Sequence, residues 1–574
     1  MHGQFGQKAY APVIGNGYVG VSLDDPGIWL LRNQTFDQYL PFAFLVSVTV
    51  NGQDLTPGAT VIDFREGVAH RIYAPLHGQS TECWWVRQSV FVQRSAPDTI
   101  VQQVSVANKA STFLKVSLHS ADSLPWPGSE IQTKSFTEKD YRTGDSDSYV
   151  IATARLHQSE ADAAQLKDLE HVAITSVQPA RTEVVIQPSG TAELAELVTV
   201  VMKHAANAKE IVYATHSLAK KASTRLNSIV FRSKSDVLLR SHRMAWSELW
   251  SSHISIIGLA HPNTPGNEDI SAAMYYVLLS TPSFRASDQS HFRHRDHLHR
   301  DLNDTERLHC FSGPPTMHTA VLWLPPSSIT AVNELIQNWR TTLIKNGCRH
   351  FVEGGAELTS QAIVLSFATV RHASHHLELA LNPANVMADT VLHNVKYDRH
   401  AITMAMHTSF TGGLTRLAIS ANDGLAFVPG ASVSSRTFSK SPVLYACPSR
   451  CGGSPHVLNS HETVLPVIVT NPPTPILYIS TAEQDLLLLR QNFAHIEQAH
   501  VAVHRPIPSL RYLKYQKGVV WLGLILFIVV FHIFVIALLI VECRGQKDID
   551  EDDGMSSFLS RRRRQLIGER LISA

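Results

Sequence analysis

The chain has 574 residues, 44% of them hydrophobic and 17% charged, and its 50 Lys and Arg balance 49 Asp and Glu. A formal charge of +1 leaves no basic footprint for nucleic acid. No Cys/His set has zinc-ligand spacing, so the sequence predicts no metal and no other cofactor.

Met1 opens MHGQFGQKAYAPVIGNGYVG, which lacks the apolar core of a signal peptide. Because Ala11 to Gly20 already reads as the inside of a folded domain, an upstream segment is expected to precede this start. Residues 10 to about 230 read mainly as strands. VSVTVNGQ, TVIDFRE, ECWWVRQSVFVQR, TIVQQVSVAN and FLKVSLHS are short β-branched and aromatic runs, separated by turn formers such as Asn51-Gly52 and Pro97-Asp98. That spacing predicts an antiparallel β-sandwich. Pro125 to Asp147 is polar and reads as a loop, and a helical stretch is expected around Ala206 to Ala222.

From Ser235 to Ser252 the pattern changes to helix, with Leu238, Leu239, His242, Trp246, Leu249 and Trp250 near one face. A short apolar helix from Ser271 to Ser280 follows this connector. The second domain reads as mixed α+β. Ser327 to Asn346 has helical periodicity with Gly347 placed to end it, and Leu358 to His372 reads as a further helix. HLELALN, AITMAMHTS, LTRLAISAN and LAFVPG return to strand character; after Asn471-Pro472-Pro473 come a strand, PILYIS, and a helix from Ala482 to about His495. The predicted organisation is a mainly β N-terminal domain at 1–234, a helical connector at 235–280 and a mixed α+β domain at 281–500. A basic stalk at 501–517, one C-terminal transmembrane helix at 518–541 and a cytosolic tail at 542–574 complete it.

Gly518 to Val541 is the strongest single signal: 24 residues, GVVWLGLILFIVVFHIFVIALLIV, without Asp, Glu, Lys or Arg. At about 1.5 Å per residue such a helix crosses a hydrocarbon core of about 30 Å, and it satisfies its own backbone groups, which lipid cannot do. The lipid bilayer is therefore an expected partner through 518–541. Lys and Arg are nearly balanced on the two flanks, so charge alone does not set the orientation. Asn33-Gln34-Thr35 and Asn303-Asp304-Thr305 both fit N-x-[ST] and favour a lumenal large region. Cys543, at the end of the span, is a candidate for palmitoylation. His532, the only ionisable group inside, reads either as a neutral imidazole facing lipid or a neighbour, or as a proton site.

Glycoside hydrolysis needs two carboxyl groups, about 5–5.5 Å apart for retention or about 6.5–9.5 Å for inversion. Glu353 and Glu357 in FVEGGAELT are the catalytic candidates, because Gly354-Gly355 admits close approach and one helical turn would present both acids on one side. The same pattern suits solvated acids at a glycine turn before a helix. His291, His294, His297 and His299 have ligand-like spacing, but Arg293, Arg295 and Arg300 interleave, and their charge opposes a divalent cation. His372, His375 and His376 are read in the same way. Asp145-Ser146-Asp147 resembles the Asp-x-Asp of sugar-nucleotide transferases but has no βαβ unit around it. Cys447 and Cys451 either close a short disulfide loop or remain two reduced thiols. Trp84 and Trp85 are adjacent on a strand and face opposite ways, so at most one can stack on a sugar ring.

Two segments carry a family resemblance. Ala11-Pro12-Val13-Ile14-Gly15-Asn16-Gly17-Tyr18-Val19-Gly20 resembles the N-terminal signature of family 65 glycoside hydrolases and phosphorylases, which include trehalose and kojibiose phosphorylases and acid trehalases. His242-Arg243-Met244-Ala245-Trp246-Ser247-Glu248-Leu249-Trp250 resembles their linker helix, which joins a β-sandwich to an (α/α)6 barrel. The likeness covers roughly residues 10 to 280. No segment matches that family's catalytic glutamate region, and the chain between Ser280 and the span is too short for the barrel. The whole chain, with the NPPTPILYIS strand and the C-terminal anchor, resembles an uncharacterised animal family of single-pass type I membrane proteins. That resemblance implies the endoplasmic reticulum membrane with the large domain in the lumen. The expected function is a glycosidase-like, non-catalytic domain that binds a glycan or a lumenal protein partner. The alternative is an active carbohydrate enzyme, hydrolase or phosphorylase, with a reduced catalytic domain.

Overall fold

The computed structural model describes residues 10–492 and 525–541. Within the first span it leaves out 26, 76–82, 121–133, 140–145, 156–167, 179–182, 208–210, 233–235, 258–263, 284–308, 374, 382–387, 398–399, 408–415, 423–443, 449–455, 459–462 and 467–474.

The largest sheet has eight strands, and its middle is built from Trp84–Val92, Thr99–Asn108 and Thr191–Asn207, paired antiparallel. Successive side chains on a strand point to opposite faces. Trp84, Val86, Val90 and Val92 therefore lie buried while Trp85 and Arg87 are exposed. One half of the inner face packs on a four-stranded sheet of Val46–Val50, Gln53–Asp54, Leu114–Ser120 and Glu183–Ile186. Val48, Val50, Trp84, Val86, Val106 and Val116 share that core. The other half packs on the four N-terminal strands, Val13–Gly15, Val19–Ser22, Ile28–Arg32 and Thr35–Leu40, through Val21, Leu30, Val90, Ile100 and Ile174. The seam between the halves is polar and largely hydrogen-bonded, although Gln102 Nε2 is left without a partner. Gln88 Nε2 donates to the Val46 carbonyl at 3.0 Å and to Gln102 Oε1 at 3.2 Å, and Gln88 Oε1 accepts from the Tyr73 hydroxyl at 2.9 Å. The expected mainly β content in antiparallel sheets is present.

Two helices cover the outer face of the large sheet. Helix α1 (Ile211–Arg232) sets Leu226 and Ile229 against Val198 and Val200, and α2 (Asp236–Leu249) sets Leu238 and Leu239 beside Phe91 and Val101. Beyond them come α3 (Asn267–Ser280), α4 (Ile329–Lys345), α5 (Arg349–Glu353) and α6 (Ala356–Phe367). Helices α3 and α6 are apolar on nearly every side and are buried along most of their length, as all-round hydrophobicity requires. Helix α4 starts where its cap residue dictates, with Ser328 Oγ accepting from the Ala331 amide at 3.2 Å. Two five-stranded antiparallel sheets complete this region, one including His253–Ile257, Asp389–Tyr397 and His400–His407, the other Leu377–Leu379 and Leu477–Ser480. A single large core joins Ala11, Val13 and Trp246 to residues of α3, α4, α6 and both sheets.

The structure departs from sequence expectation in several places, among them the helix expected around Ala206 to Ala222, which runs instead over Ile211–Arg232 after a strand ending at Asn207. Within the stretch read as a loop, Lys134–Lys139 pairs with the start of Ser146–Arg155 at the end of the eight-stranded sheet, where backbone bonding alone suffices to recruit a polar segment. The helix expected from Leu358 to His372 stops at Phe367. Thr369 takes a φ of 51° and Val370–His372 becomes a strand paired with Leu377–Leu379, because a short apolar run reads alike as buried helix or strand. The connector is interrupted by the strand His253–Ile257, which pairs with Asp389–Tyr397. LAFVPG lies outside the described residues.

The chain divides into two compact units, Met1–Gln491 and Asn492–Ala574. Every element above belongs to the first. In the second, residues 525–541 form a helix exposed at every position. It rises about 26 Å at 1.5 Å per residue, less than a hydrocarbon core of about 30 Å. Among the described residues no helix is long and apolar enough to cross a membrane. Residues 518–524 of the expected span, and the stalk and tail, lie outside the described residues.

Candidate functional site

The N-terminal strands, α2 and α3 meet around the segment Ala11–Gly20. There the Ala11–Gly20 segment works through Asn16. Its Nδ2 donates to the carbonyls of Gln93 and Pro97, both at 2.9 Å, and its Oδ1 accepts from the amides of Tyr18 and Val19 at 3.0 and 3.1 Å. Gly17 sits at a φ of +91°, and a Cβ there would lie 2.2 Å from the Pro282 nitrogen, so the turn requires glycine.

These contacts fix the loop that carries Arg94. Its guanidinium is buried; Nη1 donates to the Thr281 carbonyl at 3.1 Å and Ser283 Oγ at 2.7 Å, and Nη2 donates to the Leu278 carbonyl. Helix α3 has no basic residue in its last turn, so Arg94 supplies donors and positive charge to its C-terminal carbonyls from another element. The guanidinium also lies 4.8 Å from the Trp246 ring centre. Burial lowers the Arg94 pKa to about 10, and the Glu357 charge acts in the opposite direction. Trp246 stacks on Tyr275 at 5.5 Å, and the hydroxyls of Tyr275 and Tyr276 donate to the carbonyls of Val13 and Ala11 at 2.8 and 2.6 Å. His242, one turn before Trp246, donates from Nε2 to the Gly67 carbonyl at 3.1 Å; burial depresses its pKa to about 3. At the junction Arg94, His242, Tyr275 and Tyr276 thus bond to backbone, and Trp246 packs among them with its ring nitrogen unpartnered.

The expected catalytic pair does not share a helical face, because the Gly354-Gly355 turn separates α5 from α6. Glu353 ends α5, exposed, with Arg349 Nε 2.7 Å from its Oε1. Glu357 is half-buried in the first turn of α6. His372 is a buried strand residue, and His376 Nε2 lies 2.7 Å from Glu378 Oε1. Among the described residues no group of three or more His, Cys, Asp or Glu is placed to hold a metal ion. His291, His294, His297, His299 and Asp145 lie outside the described residues, and Ser146 and Asp147 are in a strand.

Asn33 is exposed in the tight turn between Ile28–Arg32 and Thr35–Leu40, with a φ of 50°. Asn303 lies outside the described residues. Cys447 lies in the strand Leu444–Pro448, and Cys451 and Cys543 fall outside the described residues. Sequence reasoning did not find the disulfide between Cys310 and Cys348, 38 residues apart. No local spacing rule marks a pair brought together by the fold.

A second place offers open polar surface. On the outer face of the four-stranded sheet lies a concavity of about 460 Å³. Leu114, Val116 and Leu118 turn into the core, so Lys115, Ser117 and His119 face outward. Register sets Ser117 opposite both Thr49 and Glu183. Lys115 Nζ lies 2.8 Å from Glu183 Oε1, and His119 Nε2 lies 3.5 Å from Thr49 Oγ1.

Residues 3–548 match the model of a family described as an uncharacterized conserved protein, DUF2152. The chain belongs to this family. The Xenopus tropicalis protein called uncharacterized protein KIAA2013 homolog is 27% identical over 560 residues, covering 93% of this chain and 83% of that protein. The Xenopus laevis protein of the same name is 25% identical over 553 residues, with the same coverage of 93% and 83%. A solved human-microbiome protein named as a kojibiose phosphorylase is similar over 63% of this chain and 54% of its own, at 10% identity and a TM-score of 0.32. This chain therefore spans about half the length of that protein, a likeness too weak to assign a fold.

Proposed function

We propose that this DUF2152 protein is a single-pass type I membrane protein of the secretory pathway, held in the endoplasmic reticulum. Its large region is lumenal and serves as a non-catalytic binding module for a glycan or a protein. The observation that carries this reading is the Cys310–Cys348 disulfide, both of whose cysteines are buried in the main core. Such bonds persist in oxidising compartments and are rare in the cytosol. The exposed Asn33 turn supports the same side of the membrane, since an N-x-[ST] acceptor needs an accessible backbone. The anchor rests on the uncharged sequence from Gly518 to Val541, whose residues 525–541 are helical. A binding role is supported by the open concavity on the outer sheet.

The test is to express the full reading frame in animal cells. Its gel mobility is compared before and after enzymatic removal of N-glycans, with Asn33→Gln and Asn303→Gln alongside. Protease treatment of intact microsomes accompanies it. Protection of the large region, with a mobility shift abolished by the substitutions, supports the lumenal reading. Digestion of that region in intact vesicles replaces it with a cytosolic domain behind a tail anchor.

A further inference from the structure

We infer that the concavity on the outer face of the four-stranded sheet binds the terminal sugars of a neutral oligosaccharide. This rests on the binding-module reading and names its ligand class and its site. The face is built by strand alternation. Phe113 immediately precedes the strand Leu114–Ser120 and is 64% exposed, the outward row continues through Lys115, Ser117 and His119, and Val185 stands opposite Lys115 with 57% exposure. Phe113 does not line the concavity itself but stands two positions before Lys115, which does, so its ring borders that rim. A pyranose needs such an apolar surface beside hydrogen-bonding groups, because a sugar has an apolar C–H face and a hydroxyl-bearing rim. The rim groups are present on three strands: the Lys115 ammonium, the Glu183 carboxylate, the hydroxyls of Thr49 and Ser117, and the His119 imidazole. Hydrogen bonds from hydroxyls to charged groups are stronger than those between neutral groups.

Charge decides which sugar. Lys115 and Glu183 pair at 2.8 Å while each side chain stays half exposed, so both remain reachable and their fields largely cancel. Asp54, exposed on the next strand opposite Thr49, adds a further negative charge. This balance disfavours sialylated or phosphorylated ligands and suits neutral ones.

The test uses the full chain, purified in a detergent without a sugar headgroup, on an array of neutral, sialylated and phosphorylated oligosaccharides. Saturation-transfer NMR on the best neutral disaccharide then follows. Phe113→Ala and Glu183→Gln are compared with Lys220→Gln, a surface change on α1, and thermal midpoints confirm that all three variants fold. The expected result is binding of neutral glycans, with transfer strongest at protons on one ring face. Phe113→Ala and Glu183→Gln should each weaken it about tenfold, and Lys220→Gln should leave it unchanged. Binding that ignores the two site substitutions overturns the site and leaves a glycan-binding module elsewhere on the chain. Preference for acidic glycans, or no glycan bound while microsomal protection holds, overturns the ligand class and leaves the lumenal reading with a protein partner.

Discussion

Arg94 and Trp246 reach each other from different parts of the chain, the first from the loop after a sandwich strand and the second from α2, with the guanidinium 4.8 Å from the indole centre. The same guanidinium donates to carbonyls at the end of α3. One side chain therefore ties three elements together. Arg94→Lys keeps a charge but lacks the planar fork that spans Leu278, Thr281 and Ser283. It should lower stability by about 2 kcal/mol, and Arg94→Ala by about 4 kcal/mol, through carbonyls left without donors in a buried site. Denaturant unfolding of the large region checks this; midpoints equal to the parent's would contradict a clamping role.

His242 predicts acid sensitivity. Its folded pKa is about 3, against an ordinary value near 6.5, so the unfolded chain binds the extra proton as pH falls between those values. Stability is then greatest above pH 6.5 and declines on acidification, by about 2 kcal/mol from this residue at pH 5. Burial depresses His70, His253 and His393 in the same sense. Unfolding measured at pH 7 and pH 5 should show this loss, and His242→Gln should reduce it. A midpoint equal at the two pH values would count against a neutral buried imidazole.

The Cys310–Cys348 bond closes a loop of 38 residues. Restricting the unfolded chain by a loop of that length stabilises the fold by about 4 kcal/mol in the chain-entropy account. Cys348→Ala should lower the thermal midpoint and reduce the amount of folded protein recovered. Non-reducing peptide mapping should recover the two cysteines in one linked peptide, and separate peptides from unreduced protein would refute the pairing.

Gly67 has a φ of +65°, and a Cβ there would lie 2.1 Å from the Trp246 ring. Gly67→Ala combines backbone strain with overpacking and should cost about 2–4 kcal/mol. The near-ultraviolet signal of Trp246 should change with it, since the indole is the group that must move. A variant with parental stability and spectrum would show that the turn relaxes freely.

Much of the sandwich was legible because its signal is local. The run from Thr99 to Asn108 forms a strand over those residues, and Asn51-Gly52 makes the expected turn. Helix α4 begins after Ser328 and ends before Gly347, as cap chemistry requires. Helix α6 was misjudged at its C-terminal end, because Val370 is as apolar as the helix before it and only pairing with Leu379 makes it a strand. Glu353 and Glu357 looked like neighbours at helical spacing, yet the glycine turn between α5 and α6 separates their helices.

The sequence by itself determined the alternation of faces on each strand, the caps of the helices and the uncharged C-terminal stretch, because each depends on residues a few positions apart. Only the tertiary structure decided that Cys310 meets Cys348, that Arg94 serves the end of α3 and that Thr49, Lys115 and Glu183 share one concavity. Those partners are separated by tens to hundreds of residues. Their meeting is set by sheet register and the shared core, which no local pattern in the chain encodes.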